Sequence, residues 1–131
     1  MATSPRTTIR RGDRLVAAAD YRRVFRRGQR LDGRFFTLVT LENRQGHDRL
    51  GLAVSRRVGG AVVRNRLKRL LRETFRRRVQ KTGRDLDIIV LPKAEMAVAT
   101  QGDVDREYEQ RLLRWVRGKA RPRSSRPASA D

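Results

Sequence analysis

Between Ser55 and Arg78 the chain reads SRRVGGAVVRNRLKRLLRETFRRR, a run whose only acid is Glu73. The chemistry such a run can do is polyanion binding. A guanidinium group is a planar fork that grips a phosphate through two parallel hydrogen bonds, and an ammonium group acts as a point charge beside it. The spacing decides whether the charges gather on one side. Read as a helix from about Ala61, with roughly 100° of rotation per residue, Val63, Leu67, Leu70, Leu71 and Phe75 form one apolar stripe. Asn65, Arg69, Arg72 and Arg76 fall opposite it, with Arg64 and Lys68 on one flank and Arg66 and Arg77 on the other. A helix that is merely solvated usually interleaves Glu with Lys and Arg. Here the acids are missing, so the charged side is expected to meet an external polyanion. Asn65, uncharged within the row, offers directed hydrogen bonds to a base or to a neighbouring Arg.

Other reactive side chains are scarce. His47, the sole histidine, sits in the polar turn ENRQGHD (Glu42 to Asp48) with no nucleophile beside it in sequence, and is read as an exposed loop residue. There is no cysteine, which removes disulfides, thiolate zinc sites and thiol nucleophiles together. None of the 14 acids forms a recognisable catalytic pair or metal-ligand spacing. Gly59 and Gly60 precede the helix, but neither GxGxxG nor GxxxxGK[ST] is present, so they read as a tight turn rather than a nucleotide cradle. No catalytic residue, protein-held cofactor or metal site is expected. With 33 basic against 14 acidic residues, the formal charge of +19 points to nucleic acid before anionic membrane. No apolar run approaches the roughly 20 residues of a membrane span, and the N-terminus lacks an apolar signal segment, so a cytoplasmic location is expected.

These groups must be positioned by a small set of elements. At 131 residues the chain supports one modest core. A short helix is expected from Leu15 to Arg27, ended by Gly28 as a C′ glycine. Tyr21 and Phe25 share one face of it, four residues apart, a pairing that by itself reads as core packing. Arg34 to Leu41 alternates as a strand, with Phe36 and Leu38 on one side and Phe35, Thr37, Val39 and Leu41 on the other. The turn Glu42 to Asp48 then predicts an antiparallel hairpin to a strand over Arg49 to Ser55. The long helix runs to about Lys81-Thr82-Gly83. Asp85 to Leu91 is a buried strand closed by Pro92 and parallel to the strand ending at Ser55. Asp103 to Lys119 is an amphipathic helix with Val104, Tyr108, Leu112, Trp115 and Val116 inward. Residues 1–12 read as a flexible basic arm, 13–119 as a single RNA-binding domain and 120–131 as a disordered tail.

The string SRRVGGAVVRNRLKRLLRE closely resembles the signature of the protein subunit of bacterial ribonuclease P, and the similarity extends to DYRRVFRRG, RFFTLVTL, RLGLAVS and DLDIIVL. The resemblance implies an α/β two-layer sandwich like domain 2 of ribosomal protein S5. It has three helices on a four-stranded mixed sheet, in the order α-β-β-β-α-β-α, with a left-handed βαβ crossover. It also implies the function. An RNA subunit hydrolyses a phosphodiester bond in precursor tRNA, releasing the 5′ leader, with Mg2+ held mainly by RNA, and the protein assists without an active site of its own. Carried over residue by residue, Arg56, Arg57, Arg64, Asn65, Arg66, Lys68, Arg69 and Arg72 dock on the catalytic RNA. Tyr21, Phe25, Thr37 and Val39 line a cleft for the single-stranded leader, so the resemblance turns the aromatic pair from core to binding surface. Val39 stands where the family often has an aromatic residue, and Phe35 is a conjectural substitute.

The alternative is a ribosomal-protein-like RNA-binding module without a catalytic RNA partner, which shares the charge and fold type but does not require the Arg-Asn-Arg helix. A DNA-binding role lacks helix-turn-helix spacing or zinc ligands, and a membrane-surface helix would need its apolar stripe exposed.

Overall fold

The computed structural model describes residues 14–43, 45–78 and 85–120. The expected N-terminal arm, all but the first residue of the expected tail, and the predicted end of the long helix near residue 82 lie outside the described residues. Three helices, α1 (Ala18–Arg27), α2 (Ala61–Arg78) and α3 (Gln101–Ala120), pack on a sheet of β1 (Gln29–Asp32), β2 (Phe36–Glu42), β3 (Arg49–Leu52) and β4 (Leu86–Pro92). Short 3-10 turns at Arg56–Val58 and Ala94–Val98 precede α2 and α3. The chain order is therefore the expected one, and the sheet is mixed.

Its strand order, β1-β2-β4-β3, corrects the predicted hairpin. β2 and β3 do not pair. β4 lies between them, antiparallel to β2 (Val39 opposite Ile89) and parallel to β3 (Gly51 opposite Ile89). Two features of the structure accompany this order. Five of the seven residues of β2 and six of the seven of β4 are buried, so each needs a neighbour on both edges, whereas four-residue β3 suits an edge. The loop after β2 also wraps the start of β4: Asn43 donates its backbone N–H to the Asp85 carbonyl, and the Asp48 carboxylate accepts from the Leu86 N–H. β2 instead makes its hairpin with β1, paired from Gln29–Thr40 to Asp32–Thr37.

The pleat sends alternate side chains to opposite faces. Phe36 and Leu38 from β2, Ile88 and Val90 from β4 and Leu50 from β3 meet Leu67, Leu71 and Phe75 of α2 and Val104, Tyr108, Leu112 and Trp115 of α3 in the main core. The core on the opposite face is smaller: Val39 and Ile89 are buried there with Val24 of α1 and Leu15. Both predicted helical stripes therefore face the core, although nothing is described for the side chain of Val116. Gly28 ends α1, but its backbone is extended (φ −79°, ψ 165°) rather than left-handed. Its small size is what the site requires, since a Cβ there would lie 2.5 Å from the Val24 carbonyl oxygen and 2.9 Å from Val39 Cγ1.

Candidate nucleic-acid interface

The turn before α2 fixes where its basic residues point. Ser55 Oγ accepts the Arg57 N–H (3.1 Å) to start the 3-10 turn, and Gly59 ends it with φ +151°, a conformation that favours glycine. A Cβ at Gly59 would also press to 2.9 Å from Val63 Cβ. With Leu67 and Leu71 locked in the core, Asn65, Arg69 and Arg72 are exposed and Arg64 and Lys68 half-exposed. Arg56 and Arg57 are exposed on the preceding turn. Among the described residues none of these seven side chains pairs with a carboxylate. Arg64 turns its Nε back to the Gly59 carbonyl at 3.2 Å.

Arg66 behaves differently from its neighbours in the row. Its two terminal nitrogens donate to the carbonyls of Ala97 (3.1 Å) and Ala99 (2.8 Å), tying α2 to the turn before α3. The C-terminal part of α2 is also internally neutralised. Glu73 pairs with Arg76 and, at 3.2 Å, with Arg77, and Arg77 reaches Asp105 of α3 at 2.6 Å. The hydrogen bond from Arg76 holds the Glu73 carboxyl below its ordinary range. The free basic surface thus runs from Arg56 to Arg72, without Arg66.

The second predicted surface is organised by α1. At about 100° per residue, Asp20 and Arg23 fall to one side of buried Val24, and Tyr21 and Phe25 to the other. The first flank is welded to the sheet. Asp87, fully buried on β4, receives Arg49 Nε (2.7 Å) and Nη2 (2.8 Å), Arg23 Nη2 (2.8 Å) and Asn43 Nδ2 (2.7 Å). Burial pushes the Asp87 carboxyl up, but the bonds from Arg49, Asn43 and Arg23 outweigh it and hold it below its ordinary range. The other flank is open. Phe25 is 41% exposed, and Tyr21 lies half-buried over Gly51, its hydroxyl accepting the Leu52 N–H at 3.1 Å.

The predicted floor of this cleft needs correction. Val39 is 0% exposed and Thr37 5%, and the Thr37 hydroxyl donates to Asp32 at 2.6 Å. α1 sits directly on Val39, so it presents no surface to a ligand. The half-buried apolar residues of the sheet on that face are Leu41, Leu91 and Ala53. Leu41 stands on the side that the sequence assigned to Thr37 and Val39, whereas Leu91 and Ala53 were not identified from sequence, although Leu91 continues the alternation of Asp87 and Ile89. Phe35 does not substitute for Val39. Its ring packs toward the main core under the Arg34 guanidinium, 5.0 Å away, because the Glu107 carboxylate captures the backbone N–H groups of Arg34, Phe35 and Phe36 and turns this segment toward α3.

No cluster of three or more His, Asp or Glu side chains suited to a metal ion occurs among the described residues, and no described helix is long and apolar enough to cross a membrane.

Comparison with known proteins agrees with this architecture. The family model described as ribonuclease P matches residues 9–116. The ribonuclease P protein component of Syntrophus aciditrophicus is 34% identical over 100 residues, covering 76% of this chain and 84% of that protein. That of Nitrosococcus oceani is 36% identical over 105 residues, covering 79% and 87%. Among solved structures, the Staphylococcus aureus RNase P protein superposes with a TM-score of 0.69 at 32% identity, over 79% of this chain and 94% of that one. The Thermotoga maritima RNase P protein gives 0.68 at 31%, over 77% and 96%. On this similarity of sequence and of fold, the chain belongs to the ribonuclease P protein family.

Proposed function

We propose that the chain is the protein subunit of a ribonuclease P holoenzyme in which a separate RNA subunit is catalytic, and that it assists removal of the 5′ leader from precursor tRNA. The observation that carries this reading is the unpaired basic surface from Arg56 to Arg72 on a helix whose other side is locked in the core. Such a surface gains by displacing counterions from RNA phosphates. Arg56, Arg57, Arg64, Asn65, Lys68, Arg69 and Arg72 dock on the RNA subunit, and Arg66 acts from inside by holding the turn before α3. The open flank of α1, with Phe25 and Tyr21 beside Leu91 and Ala53, receives the single-stranded leader through stacking that tolerates many sequences. Water activation falls to Mg2+ ions held mainly by RNA. The protein's part is positive charge, orientation and grip on the substrate.

Reconstitution tests this. The isolated protein is expected to leave precursor tRNA intact and, added to its RNA subunit at low magnesium, to restore cleavage at the 5′ end of the mature tRNA. Cleavage by protein freed of RNA and contaminating nuclease would overturn the reading. A protein that binds RNA but never stimulates an RNA subunit would favour a general RNA-binding module.

A further inference from the structure

On the opposite side of the sheet from α1, a cleft of about 500 Å3 opens between the β1–β2 connection, the turn before α3 and the first turns of α3. This volume lies within the roughly 300–1,000 Å3 typical of ligand sites. Its walls are held rigidly. Glu107, only 7% exposed, bonds three successive backbone N–H groups at 2.9–3.0 Å, and Lys93 ties down the Gly33 carbonyl at 2.6 Å. Gly33 accommodates this packing, since a Cβ there would lie 2.2 Å from Glu107 Oε2. The two acids at the cleft are therefore already engaged, Glu107 by the backbone and Asp103 by the Thr100 N–H and Arg106.

What remains is a set of donors and apolar surface. Arg34 is exposed, and its guanidinium carbon lies 5.0 Å from the centre of the Phe35 ring. Arg111 lines the cleft, and its Nε is sealed from solvent without a hydrogen-bond partner among the described residues, so a ligand in the cleft can meet only its terminal nitrogens. Gln110 adds an exposed amide, and Val98, 83% exposed, forms an apolar rim. Arg66 grips the carbonyls on either side of Val98, so the rim is fixed to the same helix that carries the free basic row.

We propose that this cleft is a third RNA contact, binding one nucleotide of a single-stranded segment. Its phosphate meets Arg34 and Arg111, and its base lies against the Arg34 plane and Val98, with Gln110 at the base edge. The choice of RNA as occupant rests on the function proposed above. The strand belongs either to the RNA subunit or to precursor tRNA, and the chemistry is the same for both.

The absence of cysteine makes a direct test possible. Val98→Cys carries a single photo-crosslinker on the full chain, assembled with the RNA subunit and precursor tRNA. Either RNA is radiolabelled in separate arms to identify the source of the strand. Arg69→Cys, on the free row, serves as a parallel probe. The expected result is a crosslink from position 98 to one or two adjacent nucleotides, weakened about tenfold by Gln110→Glu, which replaces the amide at the base edge by an anion and adds negative charge to a cleft that takes a phosphate, while exchanging one exposed side chain for another. Crosslinking from position 69 without any from position 98 would overturn the third contact and leave the docking row standing. Crosslinking from position 98 alone would uphold the cleft and remove the α2 row. Silence from both would overturn the cleft together with the RNA-docking reading.

Discussion

Around Asp87, four N–H groups from Arg23, Arg49 and Asn43 converge on one buried carboxylate. Between Arg64 and Arg72, five basic side chains on α2 meet no carboxylate among the described residues. The same side chain serves two ends in one small protein, and surroundings rather than residue type separate them. Asp87 lies out of water, so its charge is tolerated only because guanidinium groups surround it. The α2 row lies in water, where self-repulsion is screened but not cancelled, and an arriving polyanion relieves it. Arg66 stands between the two, placed by sequence in the row but aimed at backbone carbonyls. In this chain, an arginine's partner says more about its role than its position in a motif.

Breaking the buried side of the comparison should produce the largest effect. Asp87→Ala removes the buried carboxylate of the cluster and leaves Arg23 (3.0 Å) and Arg49 (3.7 Å) only Asp20 of α1 as an acidic partner, and loss of one partner from a buried pair costs up to about 3–5 kcal/mol. Against a total stability of roughly 5–15 kcal/mol for a domain of this kind, the variant should unfold at markedly lower denaturant concentration. A change within error would show the cluster to be incidental. The pH dependence has a definite sign. The Asp87 carboxyl titrates lower when folded than its unfolded value of about 3.9. Its contribution is therefore fully present above that value and fades as pH falls through the lower folded one. Denaturant midpoints measured from pH 7 down to pH 2 should fall less steeply for Asp87→Asn than for the unmodified chain.

The exposed side is broken by Arg64, Lys68 and Arg69 changed together to Ala. Stability should hardly move, while the slope of log affinity for the RNA subunit against log salt should become shallower by roughly 0.7–0.9 for each phosphate no longer neutralised. Arg66→Ala should show the reverse pattern. It gives up two hydrogen bonds from a charged donor, each worth about 1.5–3 kcal/mol, so the thermal midpoint falls while the salt slope stays near that of the unmodified chain. If Arg66→Ala flattened the slope as the triple variant does without loss of stability, its guanidinium would belong with the docking row after all.

How far the sequence foretold these environments depends on the range of the interaction. The α2 stripe from Val63 to Phe75 repeats every turn, so both its buried and its basic side were legible without any partner in view. Strand pairing was not. Adjacent strands joined by a polar turn favour a hairpin, and only the fully buried character of β4 together with the Asn43 and Asp48 bonds to its start places it between β2 and β3. β1 has a single apolar residue, Leu31, and gave no alternation to find. Asp87 and Glu107 did leave a signal. Each is a carboxylate at a core-facing step, in DLDIIVL and beside Tyr108, and such a group requires donors from elsewhere in the fold. Which donors is a matter of tertiary contact, as is the covering of Val39 by α1.

The smallest expected effect separates the two flanks of α1. Phe25 is 41% exposed and has no polar group to anchor it, whereas Tyr21 accepts the Leu52 N–H and packs against Gly51 at the edge of the sheet. Phe25→Ala therefore tests binding with little disturbance of the fold, while Tyr21→Ala would confound the two. If the open flank holds the leader, Phe25→Ala removes stacking worth roughly 1–3 kcal/mol for the base engaged. That loss should appear with precursor tRNA carrying a leader of several nucleotides and vanish with a tRNA that has almost none, because the missing contact is to the leader alone. The welded flank supplies the control: Arg23→Gln loosens α1 by weakening its tie to Asp87 and lowers the thermal midpoint. Any effect of Arg23→Gln on binding would come through the placement of α1, and so should be smaller than that of Phe25→Ala on the long-leader substrate. Equal losses from Phe25→Ala on both substrates, accompanied by a large fall in thermal midpoint, would return Phe25 to a packing role and leave the open flank without a ligand.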